Sequence, residues 1–205
     1  MTVNMLTQTK KRIFDKEKEE YTKRTLTSLI KSINLAKGRF KEVKFKIYII
    51  DHNSKIEQIN ILKNILKKSE IEFEIQNLEL NKYSKEIKKV NEENKEVTLN
   101  QKSNMSNIHQ SILLSKEKCQ DLTYFVEDDY LHELESISEI LFAYERISSL
   151  IKNELIICPA DYPYLYMRSD NTNIFMGEKR HWRKIDQTLC SFIMSKKTIE
   201  KYLKE

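Results

Sequence analysis

Leu122-Thr123-Tyr124-Phe125-Val126-Glu127-Asp128-Asp129-Tyr130 is the stretch whose reading decides the fold. An apolar, β-branched and aromatic run stops at three consecutive carboxylates, and a helix-like pattern resumes a few residues later. The run predicts a buried strand, which puts its acids at a carboxyl end, where open α/β sheets bind ligands. Three adjacent carboxylates repel one another, so if they converge on one site they need a counter-charge. A divalent cation is the simplest, since hard oxygen ligands suit Mg²⁺ or Mn²⁺. The plain alternative is an acidic strand-to-helix loop in which Asp129 or a neighbour helps to cap the helix.

Working outward, Asn104 to Lys118 has helical spacing, with Met105, Ile108, Ile112 and Leu113 on one side. On the other flank a helix is predicted from Leu134 to Ile151, then a strand over Glu154–Cys158 that breaks at Pro159. Earlier, Thr2–Thr7 reads as a short strand, Tyr21–Ala36 as a helix stopping at Gly38, and Phe45–Ile50 as a strong strand closed by Asp51-His52-Asn53-Ser54. A helix over Ile56–Leu66 and a half-buried or edge strand over Ile71–Leu80 follow. Residues 81–103, rich in Lys, Glu and Asn, form a mobile polar excursion. Toward the end, the aromatic segment Tyr162–Tyr166, strands flanking a turn at Ser169-Asp170-Asn171, His181-Trp182-Arg183, a strand over Thr188–Met194 and a helix from Lys196 complete the order. Strands alternating with helices imply one α/β domain over residues 1–205 with a mostly parallel sheet covered by helices.

Composition narrows the classes. With 205 residues the chain suits one sizeable core. No apolar run approaches a bilayer span, and the N-terminus lacks the apolar core of a secretory signal, which predicts a cytoplasmic protein. The three cysteines, Cys119, Cys158 and Cys190, fit neither a disulfide framework nor a zinc site. A net charge of +5, spread along the chain, gives a mild attraction to nucleotides, phosphates or acidic membrane surfaces, so a peripheral place on the inner face of a membrane stays open. No motif interleaves aromatic and basic residues for reading nucleic acid, which ranks low. Only Gly38 and Gly177 occur, so no Gly-rich loop can cradle phosphates; a metal would have to hold them.

Two strand ends therefore carry acids, Asp51 and the Glu127-Asp128-Asp129 triplet. That pair, in that order within one α/β domain, resembles the GT-A fold glycosyltransferases, most closely the family-2-like group. The resemblance implies a GT-A-like, Rossmann-like three-layer sandwich with a mostly parallel central sheet and a small C-terminal β-hairpin. It implies a metal-dependent glycosyltransferase of hexosyltransferase type. Such an enzyme moves a sugar from a nucleotide-sugar donor, UDP-sugar foremost, to a glycan, lipid or protein acceptor with Mn²⁺ or Mg²⁺. By the same resemblance Asp51 reads the base within the Asp51–Ser54 turn that includes Asn53, and Thr7 and Thr9 lie near base or ribose. Asp129 is the main metal ligand in the DxD-type triplet, Glu127 faces ribose or metal beside Asp128, and His181 is the third site element.

Chemistry adds candidates. Charge growing on a departing nucleoside diphosphate needs a cation such as Arg183 beside the metal. Inversion would need a general base, for which Asp161 or Asp186 is available. Trp182 could form an apolar wall for a sugar face, or simply plug the core. The rival readings are a sugar nucleotidyltransferase, whose usual Gly-rich opening is missing here, and a catalytically silent binding module.

Overall fold

The computed structural model describes residues 1–3, 16–83, 85–87, 89–90, 94–160, 162, 167, 171–186 and 191–203. Helical spacing of buried Leu26, Leu29, Ile30, Ile33 and Ala36 builds helix α1 (Lys18–Arg39). The helix runs through Gly38 and stops one residue later, where the Phe40 N–H donates to the Ala36 carbonyl. Before it stands β1 (Thr2–Val3); after it come β2 (Lys46–Asp51), α2 (Ile56–Lys67) and β3 (Glu72–Asn77). The next elements are α3 (Leu99–Lys118), β4 (Leu122–Phe125), α4 (Ser136–Ile151) and β5 (Ile156–Ile157). A hairpin of β6 (Ile174–Met176) and β7 (His181–Arg183), then β8 (Phe192–Ser195) and α5 (Lys196–Tyr202), close the order.

The sheet differs from the expected mostly parallel central sheet, and with it the GT-A-like sandwich built on one is overturned. Among the described residues parallel pairing is confined to β1, β2 and β3, with Val3 opposite Asp51 and Asp51 opposite Asn77. The acid-bearing β4 lies in a separate sheet of order β4-β8-β5, antiparallel to β8 throughout. Alternation of strand and helix along a chain fixes neither the partner nor the direction of a late strand. Here β8 enters between β4 and β5 against both. The β6–β7 hairpin turns at Gly177–Arg180, and the expected turn at Ser169-Asp170-Asn171 lies largely outside the described residues.

One core nevertheless runs beneath both sheets. Val3, Ile47 and Ile49 from the parallel sheet and Ile157 and Ile193 from the antiparallel one pack with α1, α2 and α4. On the opposite face a smaller cluster joins Phe125, Met194 and Ile199, with Phe125 and Phe192 stacked at 4.7 Å. The face of α3 that is buried is not the predicted apolar one: Met105, Ile108, Ile112 and Leu113 are only half-buried. Ser103, Ser106, Asn107 and Gln110 are buried instead. Asn107 donates to the Ile50 carbonyl at 3.1 Å, and the Gln110 amide bridges the Asn77 carbonyl and the Glu79 N–H at 3.1 and 2.9 Å. Side-chain amides thus satisfy backbone groups at the ends of β2 and β3 that the ladder leaves open. The segment before α3 inserts Tyr83, Ile87 and Val97 into the interior. Among the described residues no helix is long and apolar enough to cross a membrane.

Leu62, fully buried at the centre of α2, tests this core. Leu62→Ala is expected to cost about 2–5 kcal/mol in urea unfolding, whereas Leu99→Ala, at a mostly exposed position, should stay within about 0.5 kcal/mol.

Candidate functional site

Strand periodicity orients both acids. Asp51 follows Ile47 and Ile49 at steps of two, so it shares the face that packs beneath α1 and α2. It is 2 % exposed and accepts from the Ser54 N–H at 3.0 Å and from the Ser54 hydroxyl at 2.5 Å. These bonds close the turn after β2, in which Asn53 is exposed and left-handed with φ 58°. A carboxylate offers about four lone-pair sites, and Ser54 occupies one on each oxygen of Asp51.

At the second strand end, Asp128 is 5 % exposed and turns toward the same helix. The Thr22 hydroxyl donates to it at 3.2 Å, and Lys18 approaches its other oxygen at 3.2 Å. The first turn of α1 also reaches the Asp51 side. Gln58, whose oxygen accepts from the Lys55 N–H at the start of α2, donates to Glu19 at 3.2 Å. The N-terminal turns of α1 therefore touch both the acid loop after β4 and the first turn of α2.

Along α1 a series of small hydroxyls continues this contact. Ser28 accepts from the His132 N–H at 3.1 Å, and Ser32 from the Ile137 N–H at 2.9 Å at the start of α4. Lys18, Thr22, Ser28 and Ser32 thereby hold the segment from Asp128 to Ile137. In the sequence they are only the polar spacers of a helical stripe, so no local signal marks them.

The rest of the triplet is less buried. Glu127 is half-buried, with its N–H donating to the Ser191 hydroxyl at 3.4 Å, and Asp129 is exposed. Tyr130 bonds Tyr162 hydroxyl to hydroxyl at 2.7 Å. Burial first, then that bond and the nearby charges of Glu127 and Asp129, hold the Tyr130 phenol protonated well above its ordinary range. Tyr130 and Tyr162 are site residues that sequence reasoning did not assign to the triplet.

The other candidates are dispersed. His181 lies on β7 opposite Met176, and Arg183 opposite Ile174. The hairpin turn is fastened to α4: the Glu139 carboxylate accepts from the N–H groups of Glu178 and Lys179 and from the Trp182 indole at 3.0 Å. Trp182 is partly buried and packs against the core, as the plug reading expects. A Cβ on Gly177 would fall 1.9 Å from a Glu139 oxygen, which is why glycine stands there. Asp186 is exposed after β7. Thr7, Thr9, Asp161 and Cys190 lie outside the described residues.

For a metal, no group of three His, Cys, Asp or Glu side chains is gathered among the described residues, so His181 does not join Glu127 and Asp129. A closed protein cage does not fit. What fits is the sparser Mg²⁺ arrangement, one or two carboxylates plus substrate phosphates, with Asp129 and Glu127 as the carboxylates. Comparison of the chain with family models, with curated proteins and with solved structures gives no match.

Two stability tests probe the seam. Asp128→Ala leaves Lys18 as a nearly buried cation and should cost about 3 kcal/mol in urea unfolding, against about 1 kcal/mol for Thr22→Val. His132 bonds the Tyr124 hydroxyl at 3.1 Å, and burial pushes its imidazole down to about 4. The unfolded chain binds this proton near the ordinary 6.5 and the folded chain only near 4, so stability contributed here falls as pH drops through that window. Unfolding midpoints followed from pH 7 to pH 4 should fall more steeply in the wild type than in His132→Asn, by up to about 3 kcal/mol.

Proposed function

We propose that the chain binds a nucleoside diphosphate-linked sugar in the crevice at the carboxyl ends of β2 and β4, and transfers the sugar as a metal-dependent glycosyltransferase. One observation carries the reading: Asp51 and Asp128 are buried acids that follow two strands, and the first turns of α1 engage Asp128 through Lys18 and Thr22 and meet the start of α2, just past the Asp51 turn, through Glu19 and Gln58. In the proposal the remaining lone pairs of Asp51 accept from an imide or amino group of the base. Asp128 is a positioning residue: engaged by Lys18 and Thr22, it orients the loop so that Glu127 and Asp129 remain at the crevice.

Breaking the sugar–phosphate bond leaves the electron pair on the diphosphate. Mn²⁺ or Mg²⁺ bound by Asp129 and Glu127 would supply charge stabilisation for that leaving group. Lys18 and the positive end of α1 add a fixed favourable potential from the protein. Tyr130, held protonated and bonded to Tyr162, can donate a hydrogen bond to a sugar or acceptor hydroxyl but cannot act as its base near neutral pH.

A second reading has its own support. Both buried acids already make internal contacts, as they would in a binding module that recognises a sugar nucleotide without turning it over. Donor hydrolysis in the presence of metal separates the two.

Thermal-shift and calorimetric titrations with UDP-, GDP-, CMP- and dTDP-sugars, with and without Mn²⁺, test the site. One donor is expected to bind more tightly with metal. Asp129→Ala should erase the metal-dependent part, and Asp51→Asn should weaken binding about tenfold with or without metal. If every donor leaves the wild-type melting temperature and heat signal unchanged, the proposal is wrong.

A further inference from the structure

Two parts of the fold, far apart in the chain, hold the acid loop. One is α1, whose Lys18 and Thr22 engage Asp128 and whose Ser28 accepts from the His132 N–H. The other is the chain around β5 and β8. There the Glu127 N–H donates to the hydroxyl of Ser191, a residue 1 % exposed just before β8. The Cys158 thiol, directly after β5, donates to the Ser191 carbonyl at 3.2 Å and so ties the two ends together. Past β5, the Tyr162 hydroxyl meets that of Tyr130 at 2.7 Å.

These holds alternate along the loop. Glu127 and Tyr130 are tied to the β5–β8 part and Asp128 to α1, so Asp129 stands between a residue fixed to one part and a residue fixed to the other. Its side chain is exposed while its neighbours on both sides are bonded. Of the two bonds to the β5–β8 part, the Ser191 contact is long at 3.4 Å, whereas 2.7 Å is the favoured length between hydroxyls. The Tyr130–Tyr162 bond is the firmer tie. A divalent ion held by only one or two carboxylates has no further protein ligand to offset a misplaced one, so its affinity depends on how well the loop is set beforehand.

We propose that Tyr162 is a positioning residue for the acid loop. Its hydrogen bond to Tyr130 sets the backbone over Glu127–Asp129 so that the Glu127 and Asp129 carboxylates share one divalent cation. This rests on the metal-binding reading of those two acids, and in it Tyr162 touches neither the ion nor the sugar nucleotide.

The test uses the full chain with Mn²⁺ as the probe, free ion being read by electron paramagnetic resonance. Hydrogen exchange in peptides over residues 122–135 reports the loop itself. Tyr162→Phe and Tyr130→Phe keep the rings and remove the bond. Each is expected to weaken Mn²⁺ binding about fivefold and to speed exchange in the loop. The double variant should lose no more than either single one, since the same bond is cut in all three. Tyr144→Phe is the comparator: it cuts a buried tyrosine hydroxyl from Glu154 at 2.9 Å, outside the loop. It should lower the melting temperature by about 3 °C, as Tyr162→Phe does, and leave Mn²⁺ affinity unchanged. The proposal is overturned if Tyr162→Phe binds Mn²⁺ or exchanges its loop as the wild type does, or if the two single losses multiply in the double variant. An equal loss of Mn²⁺ affinity in Tyr144→Phe also overturns it, in favour of a general effect of stability. Those outcomes leave the metal site standing. A wild-type chain that binds no Mn²⁺, or binds it equally well after Asp129→Ala, removes the metal site and the positioning role with it.

Discussion

A loop that leaves a strand with three carboxylates and must then start a helix exposes backbone donors and negative charge together, and both need partners from one neighbour. Helix α1 is that neighbour. Its Lys18 and Thr22 take the Asp128 carboxylate, Ser28 takes the His132 N–H, and Ser32 takes the Ile137 N–H at the beginning of α4. Because buried polar groups left without partners cost about 1–3 kcal/mol each, this seam fixes how α1, the acid loop and α4 sit together. It also fixes which acid turns inward. With Asp128 committed to α1, Glu127 and Asp129 are the more exposed members of the triplet.

The same economy explains the other side of the molecule. Helix α3 packs with serines, an asparagine and a glutamine toward the parallel sheet, since the sheet ends there present open carbonyl and amide groups. An apolar helix face would have left Asn77 and Glu79 unsatisfied. Polar burial on both faces of the sheets therefore concentrates at the carboxyl ends of β2 and β4, while the apolar core lies deeper, around Ile49, Leu62 and Ile193. The interior is dry at its centre and hydrogen-bonded at one rim.

That rim continues into the loop after β4, where exposed Leu131 and Leu134 follow Asp129 within five residues. The hairpin reinforces this segment from outside. Glu139 anchors its turn through the N–H groups of Glu178 and Lys179, and Gly177 supplies the space that contact needs. In this architecture His181 is exposed on the hairpin, and Trp182 holds the hairpin to α4.

From the sequence alone, the helices and the stronger strands could be placed, because apolar spacing of 3.6 or 2 is a local property of Leu26–Ala36, Ile47–Ile50 or Ile56–Leu66. The positions of Asp51 and the triplet after strands were legible for the same reason. Pairing was not. That β4 runs against β8, and that the parallel sheet stops at three strands, depends on contacts between residues some 70 positions apart, such as Leu122 with Ser195. Nor could the sequence single out Thr22, Ser28 and Ser32 from other helix spacers, or show that the buried face of α3 is its polar one. Local periodicity reports where a side chain points along its own element. Only the assembled chain decides which polar group it must satisfy there.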